Sequence, residues 1–404
     1  MKNFLANFKG DKVIWAVVLI LSIFSILAVY SSTGTLAYRS KIAAGNTEFY
    51  LVKHLFILLM GIGLMYLSHL IKYTNYSKIS QILVLLAIIL LPITLFTGES
   101  VNDASRWLTL PIINLKFQTS DLAKLALIMY LARMISRKQE QMEDLKKGFL
   151  PIAIPVVLIC IFILPANFST AAILFATCLI LMFVGRVSMK YIIYMIGIML
   201  IAGGLFILIL KTTNNQGRLS TWVNRIETFF GDDSKQNPDD IYQINQSKIA
   251  VASGGIIGKF PGNSTQRNML PQAYSDFIYA IILEEYGFIG GIIILLLYMV
   301  LLYRGIRIAT KCEKTFGILL GLGISFILVF QAVINMGIVV DLLPNTGQPL
   351  PLISMGGTSI WFTSIGIGIM LSISRANDEA EKQKQQAEES SKIKTETENA
   401  EIPQ

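Results

Sequence analysis

The strongest candidate for chemistry in this sequence is a carboxylate at the edge of an apolar segment. Asp276 ends a long polar stretch and is followed at once by the apolar run 277–283. A carboxylate at such a boundary loses part of its hydration, and a partly desolvated carboxylate can serve as a general base. The alternative is structural, because a negative charge is also favoured at the N-terminus of a helix. Position alone does not decide between these interpretations.

A second candidate is a pair of opposite charges in another apolar segment. Asp121 and Lys124 are three residues apart, so one helical turn places them on the same face. They form either a local ion pair or a site that presents a cation to an anionic ligand. We favour the ligand, because charges at membrane depth are costly and usually functional. Arg106 and Lys116, in the preceding polar stretch, would add to the same positive patch, although alone they would more often be interfacial anchors.

Prolines and glycines concentrate in residues 344–359, at the mouth of the last apolar segment. Irregular backbone within a membrane persists only where protein or a water-filled cavity satisfies its polar groups. This stretch therefore suits a ligand cavity, although the same residues are common at ordinary turns. The sequence has no P-loop and no HExxH zinc signature, and its three cysteines are scattered. ATP-driven and zinc-hydrolase functions thus lack their usual residues.

Apolar segments must position these residues. Of 404 residues, 53% are hydrophobic and only 15% are charged, and the mean hydropathy is +0.60. Stretches 13–30, 79–96 and 191–210 contain no charge at all, and about 20 such residues span a bilayer as a helix. We predict an all-α integral membrane protein, a bundle of about ten transmembrane helices, and exclude soluble enzymes and DNA-binding proteins. The predicted spans are 13–31, 49–71, 79–97, 118–136, 149–165, 168–185, 191–210, 277–303, 316–340 and 350–373.

Charge in the connecting segments predicts the orientation. Every second loop is basic, which places both termini in the cytoplasm and accounts for the net charge of +8 without nucleic acid. Residues 1–374 then form one membrane domain, with a long outer loop at 211–276. Within that loop, residues 219–230 have the spacing of an amphipathic helix, which would lie on the membrane or pack on neighbouring loops. Residues 375–404, with eight acidic and five basic side chains, are predicted to be a disordered cytoplasmic tail.

Together these segments resemble the SEDS family (shape, elongation, division and sporulation proteins), which contains FtsW, RodA and SpoVE. Four stretches carry the resemblance, in order: Ala104–Trp107 with Phe117–Lys124, Tyr242-Gln243 with Ser253-Gly254-Gly255, Gly262–Gln266 through Ser275-Asp276 to Gly287, and Asn335 with the 344–359 segment. The Gly-Asn-Ser-x-Gln run before Leu270-Pro271 is most like the division branch, FtsW.

The resemblance implies a peptidoglycan glycosyltransferase that polymerises lipid II into β-1,4-linked strands at the outer face of the cytoplasmic membrane. Asp276 matches the family's catalytic aspartate, a general base in an inverting reaction. The matched substrate-binding residues are Lys116, Lys124, Arg106, Asp121, Ser275 and Gln243, whose cations would face the pyrophosphate. No cofactor is required, although a divalent cation (Mg²⁺ or Mn²⁺) could share that work. The chain departs from the family pattern at Gln118-Thr-Ser-Asp121, Asn167, Gln272 and Tyr274.

The resemblance also implies partners. These are lipid II, a class B penicillin-binding protein transpeptidase, other divisome proteins and membrane lipid, and nucleic acid is not among them. The implied location is the bacterial cytoplasmic membrane at the division septum, as a multi-pass protein. Two alternatives remain open on the sequence. A lipid II flippase would suit many spans with an intramembrane charge pair, and a non-catalytic divisome scaffold would use the acidic tail for docking.

Overall fold

A computed structural model shows a bundle of helices with one small sheet at one end. The structure describes residues 9–39, 45–101, 104–110, 115–212 and 238–400. In chain order the elements are α1 Lys12–Ser32, α2 Gly34–Arg39, α3 Thr47–Leu70, α4 Tyr73–Thr97, β1 Glu99–Val101, β2 Ala104–Leu110, β3 Leu115–Gln118, α5 Thr119–Arg137, α6 Leu150–Ile163, α7 Phe168–Val184, α8 Met189–Thr212, α9 Pro238–Gly254, α10 Ile278–Thr310, α11 Thr315–Val339 and α12 Gly357–Ala400.

The predicted membrane architecture is confirmed, since each predicted span coincides with one helix. Seven helices in the described part are long and apolar enough to cross a membrane, and two more, α7 and the first part of α8, are apolar but shorter. The remaining predicted span is α5, which carries Asp121 and Lys124. The last span begins as a helix only at Gly357, because residues 341–356 are non-helical.

Helix α11 lies at the centre of the bundle. It packs against α5, α7, α10 and α12, and 67% of its most apolar window is buried, against 28% for α3 and α4. An apolar helix that neighbours cover on most sides belongs to the protein core, whereas α3 and α4 leave a wide face for lipid. Polar side chains on α11 must therefore find partners inside the protein.

The segment before α5 contains a sheet that the sequence did not predict. Strands β1, β2 and β3 pair in that order, all antiparallel, with Trp107 opposite Gln118 and Leu110 opposite Leu115. Strand β3 leads directly into α5 at Thr119. The sheet therefore fixes the entry of the helix that carries the charged pair.

The long outer loop is also more regular than expected. Residues 238–254 form α9, which packs on α10, while the possible amphipathic helix at 219–230 lies outside the described residues. The loop after α9 is attached to the buried carboxylate of Glu284. That carboxylate accepts hydrogen bonds from Ser253, Lys259, Ser264, Thr265 and Gln266.

The tail differs from the prediction, because α12 continues without a break through Ala400. Residues 375–400 are therefore helical in this structure, whereas the composition predicts a disordered tail from residue 375. Two ion pairs hold the extension against the loop between α10 and α11: Lys384–Glu313 at 2.5 Å and Lys311–Glu381 at 3.7 Å. Composition alone indicated a segment without a core, but it could not reveal these partners on a neighbouring loop.

Helix α10 is interrupted at Gly287, where φ is 67° and ψ is −170°. The loop after α9 inserts at this break, and the Phe288 amide donates to the Gly255 carbonyl at 2.9 Å. A Cβ atom on Gly287 would lie 2.4 Å from the Ile256 carbonyl oxygen. Only glycine fits this conformation and this approach.

We predict that Gly287→Ala destabilises the protein while Gly63→Ala does not. The strained dihedral alone would lower the free energy of unfolding by about 1–3 kcal/mol, and the clash adds to this. Gly63 lies within α3 with no atom within 4 Å of its would-be Cβ, so alanine there should leave stability unchanged or raise it by up to about 1 kcal/mol. Thermal unfolding of both variants in one detergent makes the comparison, and equal midpoints would contradict the prediction.

Candidate functional site

Asp276 lies one residue before Phe277, the residue that caps α10. Its side chain is half-buried, and its Oδ1 accepts a hydrogen bond from the Ser275 hydroxyl at 2.9 Å. Its backbone carbonyl accepts from Asn335 Nδ2 at 2.8 Å. Ser275 therefore contacts the carboxylate itself, while Asn335 of the central helix α11 holds the backbone of the same residue. This position is compatible with a helix-terminal charge and with a general base.

The non-helical segment before α12 supports the backbone around Asp276. The Met355 amide donates to the Tyr274 carbonyl at 2.9 Å, and the Ser354 hydroxyl donates to the Ser275 carbonyl at 2.6 Å. The predicted irregular backbone is thus present, and protein groups satisfy it as the membrane environment requires. Asn335 completes this arrangement, since Nδ2 also donates to the Gln348 carbonyl at 2.6 Å.

A buried set of amides surrounds this segment, and the sequence analysis did not identify it as a network. Gln348 Nε2 donates to Asn167 Oδ1 at 3.1 Å and to Thr170 Oγ1 at 2.6 Å. Gln331 Nε2 donates to the Pro349 carbonyl at 3.0 Å. A signal existed, because Gln331 and Asn335 are the amide side chains of an otherwise apolar span and stand one helical turn apart.

The charged pair of α5 meets the same face of α11. Lys124 Nζ lies 2.8 Å from Asp121 Oδ1 and donates to Gln331 Oε1 at 3.1 Å. The local ion pair is therefore present, and both side chains are largely buried. Gln331 and Asn335 differ by four residues, or about 6 Å along a helix. The Lys124 ammonium and the Asp276 backbone thus approach neighbouring turns of one helix.

One cavity is lined by Asp121 and Lys124 and another by Tyr274, and the two differ in size and chemistry. The one beside Asp121 and Lys124 has a volume of about 50 Å³, which accommodates water rather than a ligand. The other has a volume of about 290 Å³ and is lined by neutral hydroxyl, amide and phenol groups together with apolar side chains, among them Thr35, Asn268 and Tyr274. Neutral donors and acceptors beside aromatic rings suit a sugar better than a charged ligand.

Tyr274 connects this larger cavity to the carboxylate, two residues before Asp276. Burial raises the pKa of the Tyr274 hydroxyl, and the negative charge of Asp276 raises it further. The phenol therefore stays protonated at neutral pH and can donate or accept a hydrogen bond. Sequence comparison marked this position only as a departure from the family pattern.

The remaining predicted site residues are placed as follows. Gln243 lies on α9 and its Oε1 is 3.4 Å from Asn345 Nδ2, a long contact to the segment before α12. Arg106 lies in β2 and Lys116 in β3, opposite Thr109, and their side chains lie outside the described part of the structure. Ser275, Asp276 and Gln243 thus lie near the non-helical segment, whereas Asp121 and Lys124 meet α11 one helical turn away, at Gln331.

The predicted divalent cation has no preformed group of ligands in the described residues. Within the described residues, no three His, Cys, Asp or Glu side chains are grouped to hold a metal ion. Hard divalent cations prefer oxygen ligands, so an Mg²⁺ or Mn²⁺ ion near Asp276 would need oxygen atoms from a bound ligand as well. A divalent cation remains a prediction.

Comparison with known proteins gives a consistent result. A family of cell cycle proteins, FtsW/RodA/SpoVE, matches residues 11–379. A Geobacter metallireducens protein named as a probable peptidoglycan glycosyltransferase FtsW is 33% identical over 376 residues, covering 90% of this chain and 96% of its own. A Haemophilus influenzae protein of the same name is 33% identical over 363 residues, covering 88% of each chain.

Solved structures share the fold. A chain from a peptidoglycan synthase complex that coordinates polymerization and crosslinking aligns with a TM-score of 0.70 at 21% identity, over 91% of this chain and 98% of that one. The rod shape determining protein RodA of Thermus thermophilus aligns with a TM-score of 0.62 at 22% identity, over 91% and 97%. The bundle, the family match over most of the chain and the similarity to named relatives agree, and this chain belongs to the FtsW/RodA/SpoVE family of membrane-embedded cell cycle proteins.

Proposed function

We propose that this chain is a peptidoglycan glycosyltransferase that polymerises lipid II, with Asp276 as its general base. The observation that carries the proposal is the position of the Asp276 carboxylate. Ser275 donates to this carboxylate and Asn335 holds the Asp276 backbone just before α10, while Tyr274, two residues earlier, lines a neutral cavity that suits a sugar. The relatives named as probable peptidoglycan glycosyltransferases supply the reaction class.

The proposed reaction transfers one sugar chain to another. Asp276 removes the proton from the 4-hydroxyl of the acceptor sugar, whose oxygen forms a bond to the anomeric carbon of the donor. The bond from that carbon to the pyrophosphate oxygen breaks, and undecaprenyl pyrophosphate leaves with the electron pair. Attack from the opposite side inverts an α link to a β-1,4 link. Asp276 then holds the proton until solvent removes it.

Cations stabilise the departing pyrophosphate in this proposal. Lys124 is held by Asp121 and Gln331, and a lysine ammonium has three donors. The third donor serves a phosphate oxygen once the small cavity beside Lys124 opens to admit it. Arg106 and Lys116 lie on the strands that lead into the same helix. A positive charge positioned before the reaction stabilises charge that develops in the transition state.

The proposed reaction also requires a particular orientation in the membrane and particular partners. Asp276 lies at one end of α10, and the Lys311 loop with the α12 extension lies at the other. The predicted orientation places the Asp276 end outside and both termini in the cytoplasm. We propose a class B penicillin-binding protein as partner, together with other divisome proteins at the septum. Similarity to a chain of a peptidoglycan synthase complex supports such a partner.

The first prediction concerns Asp276→Asn, which should abolish lipid II polymerisation by the protein reconstituted with its partner. Loss of a general base should lower the rate by about 10²–10⁴-fold. Asp341→Asn is a matched control, because Asp341 follows α11 at the same end of the bundle, pairs with Lys248 and has a φ of 61° that asparagine tolerates. Equal rates from both variants would remove Asp276 from the mechanism. Movement of lipid II between leaflets without polymer would favour a transporter.

The second prediction separates a structural from a functional role of the α5 pair. The double variant Asp121→Asn/Lys124→Gln keeps the size and polarity of both side chains but removes their charges. We expect it to fold and to lose about 10²-fold in polymerisation rate, the size of effect that follows loss of one transition-state donor. The control Lys248→Gln/Asp341→Asn neutralises an exposed pair and should retain activity. Full activity of the α5 variant would show that the pair is only structural.

The third prediction concerns the pH dependence of the reaction. Because the pKa of Tyr274 is raised, its hydroxyl stays protonated until the pH exceeds the usual tyrosine value of about 10. Tyr274→Phe should therefore leave the pH profile of polymerisation unchanged between about pH 5 and pH 9, and any loss should appear in KM for the sugar substrate. An alkaline limb that is present in the wild type and lost in the variant would show that the Tyr274 proton takes part in the reaction.

A further inference from the structure

A large cavity lies at the end of α10 farthest from Asp276. It has a volume of about 580 Å³ and lies between the start of α4, the loop from α10 to α11, and the part of α12 beyond residue 372. This is the face that loop charge predicts to be cytoplasmic. Five basic side chains line it: Lys72, Lys311, Lys314, Arg375 and Lys384. With three glutamates in the same wall, the lining has a net charge of +2.

Ion pairs neutralise only part of this charge. Lys384 and Lys311 pair with Glu313 and Glu381 and so build the wall between the loop and α12. Among described side chains, none forms an ion pair within 4.0 Å of Lys72 or Lys314.

Arg375 contributes a third cation. Its Nη2 donates to the Leu70 carbonyl at 3.1 Å, while its buried Nε has no hydrogen-bond partner in the described structure. The nearest ion-pair contact of that nitrogen is Glu379 at 3.8 Å, which exceeds hydrogen-bond distance. An anion in the cavity would be stabilised by the positive charges of Lys72, Lys314 and Arg375.

Two helices begin at this cavity, and their first residues are unusual. Lys72 and Lys314 occupy the capping positions of α4 and α11, neither start has a side-chain cap, and neither first turn contains an acidic residue. A helix start has unpaired amides and a partial positive charge, so aspartate, serine or asparagine is favoured there and lysine is not. Elsewhere on this face the chain uses aspartate, since Asp11 caps α1 and Asp144 caps the turn before α6.

The convergence of two uncapped helix starts, their lysines and Arg375 on one cavity is typical of a phosphate site. The general excess of basic residues in cytoplasmic loops explains neither the cavity nor the presence of lysine, instead of aspartate or serine, at the two capping positions. Leu70 and Ile71, which precede Lys72, are 47% and 41% exposed, so the apolar surface of the bundle reaches the edge of the cavity. Basic pockets of this kind bind anionic lipid head groups.

We propose that this cavity binds the phosphate of an anionic membrane lipid, with Lys72, Lys314 and Arg375 as its cations and the first turns of α4 and α11 as its amide donors. A soluble phosphate compound shares the charge but does not use the apolar rim. The site lies at the opposite end of the bundle from Asp276 and does not depend on the proposed reaction.

The test measures binding of phosphatidylglycerol, cardiolipin and phosphatidylcholine to the purified full-length protein by native mass spectrometry in a zwitterionic detergent. Lys72→Gln/Lys314→Gln is compared with Lys146→Gln/Lys147→Gln, which removes two exposed lysines from another helix start on the same face. With about 1 kcal/mol for each lysine near a phosphate, the cavity variant should bind anionic lipid about thirtyfold more weakly. The control should change by less than about twofold.

Inorganic phosphate and ADP are titrated against the bound lipid to identify the source of the anion. The proposal expects that neither displaces anionic lipid at millimolar concentration, and that phosphatidylcholine does not bind at the site. Equal lipid affinity in the cavity variant and the control would overturn the proposal. Displacement by phosphate or ADP would overturn the lipid assignment in favour of a soluble ligand. Thermal unfolding of both variants without added lipid confirms that they are folded.

Discussion

The arrangement around Asp276 depends on one constraint, which is that non-helical backbone inside a membrane protein must find hydrogen bonds within the protein. Residues 341–356 leave the helical pattern between α11 and α12, so their carbonyls need side-chain donors. Asn335 supplies one amide nitrogen that donates to both the Gln348 and the Asp276 carbonyls. The groups that satisfy this segment therefore also fix the catalytic candidate. Changing that amide would disturb the segment and Asp276 together.

The buried ion pair in α5 must offset the cost of removing two charges from water. Burying two charges costs several kcal/mol for each ion, and a well-packed apolar pair of similar size is often no less stable. The Asp121–Lys124 contact and its link to Gln331 therefore give little reason for the pair to exist as a stabilising element alone. Its location near the turn of α11 that supports Asp276 agrees with the proposed role in binding pyrophosphate. In that role the Lys124 ammonium is already in position and need not reorganise when negative charge develops on the leaving pyrophosphate.

The sequence revealed the spans and the charged residues, because long apolar runs and buried charges are strong local signals. It did not reveal the sheet, since β1 to β3 are short and their pairing depends on register between distant residues such as Trp107 and Gln118. It also missed the extension of α12, which depends on partners such as Glu313 on another loop. The buried amides were visible as residues, but only the fold shows that Gln348 reaches Asn167 across the bundle.

Glu284 and Asp276 differ in whether their surroundings allow the carboxylate to exchange a proton. Glu284 is fully buried and accepts bonds from Lys259, from hydroxyls and from backbone amides of the loop after α9. Those donors stabilise the charged form and occupy its oxygens, so protonating Glu284 would release the loop. Such a group can fix a fold but cannot exchange protons in every catalytic cycle. Asp276 is half-exposed, and Tyr274, two residues before it, lines a cavity. The donors around each carboxylate therefore separate the structural Glu284 from Asp276, the proposed general base, and sequence spacing does not.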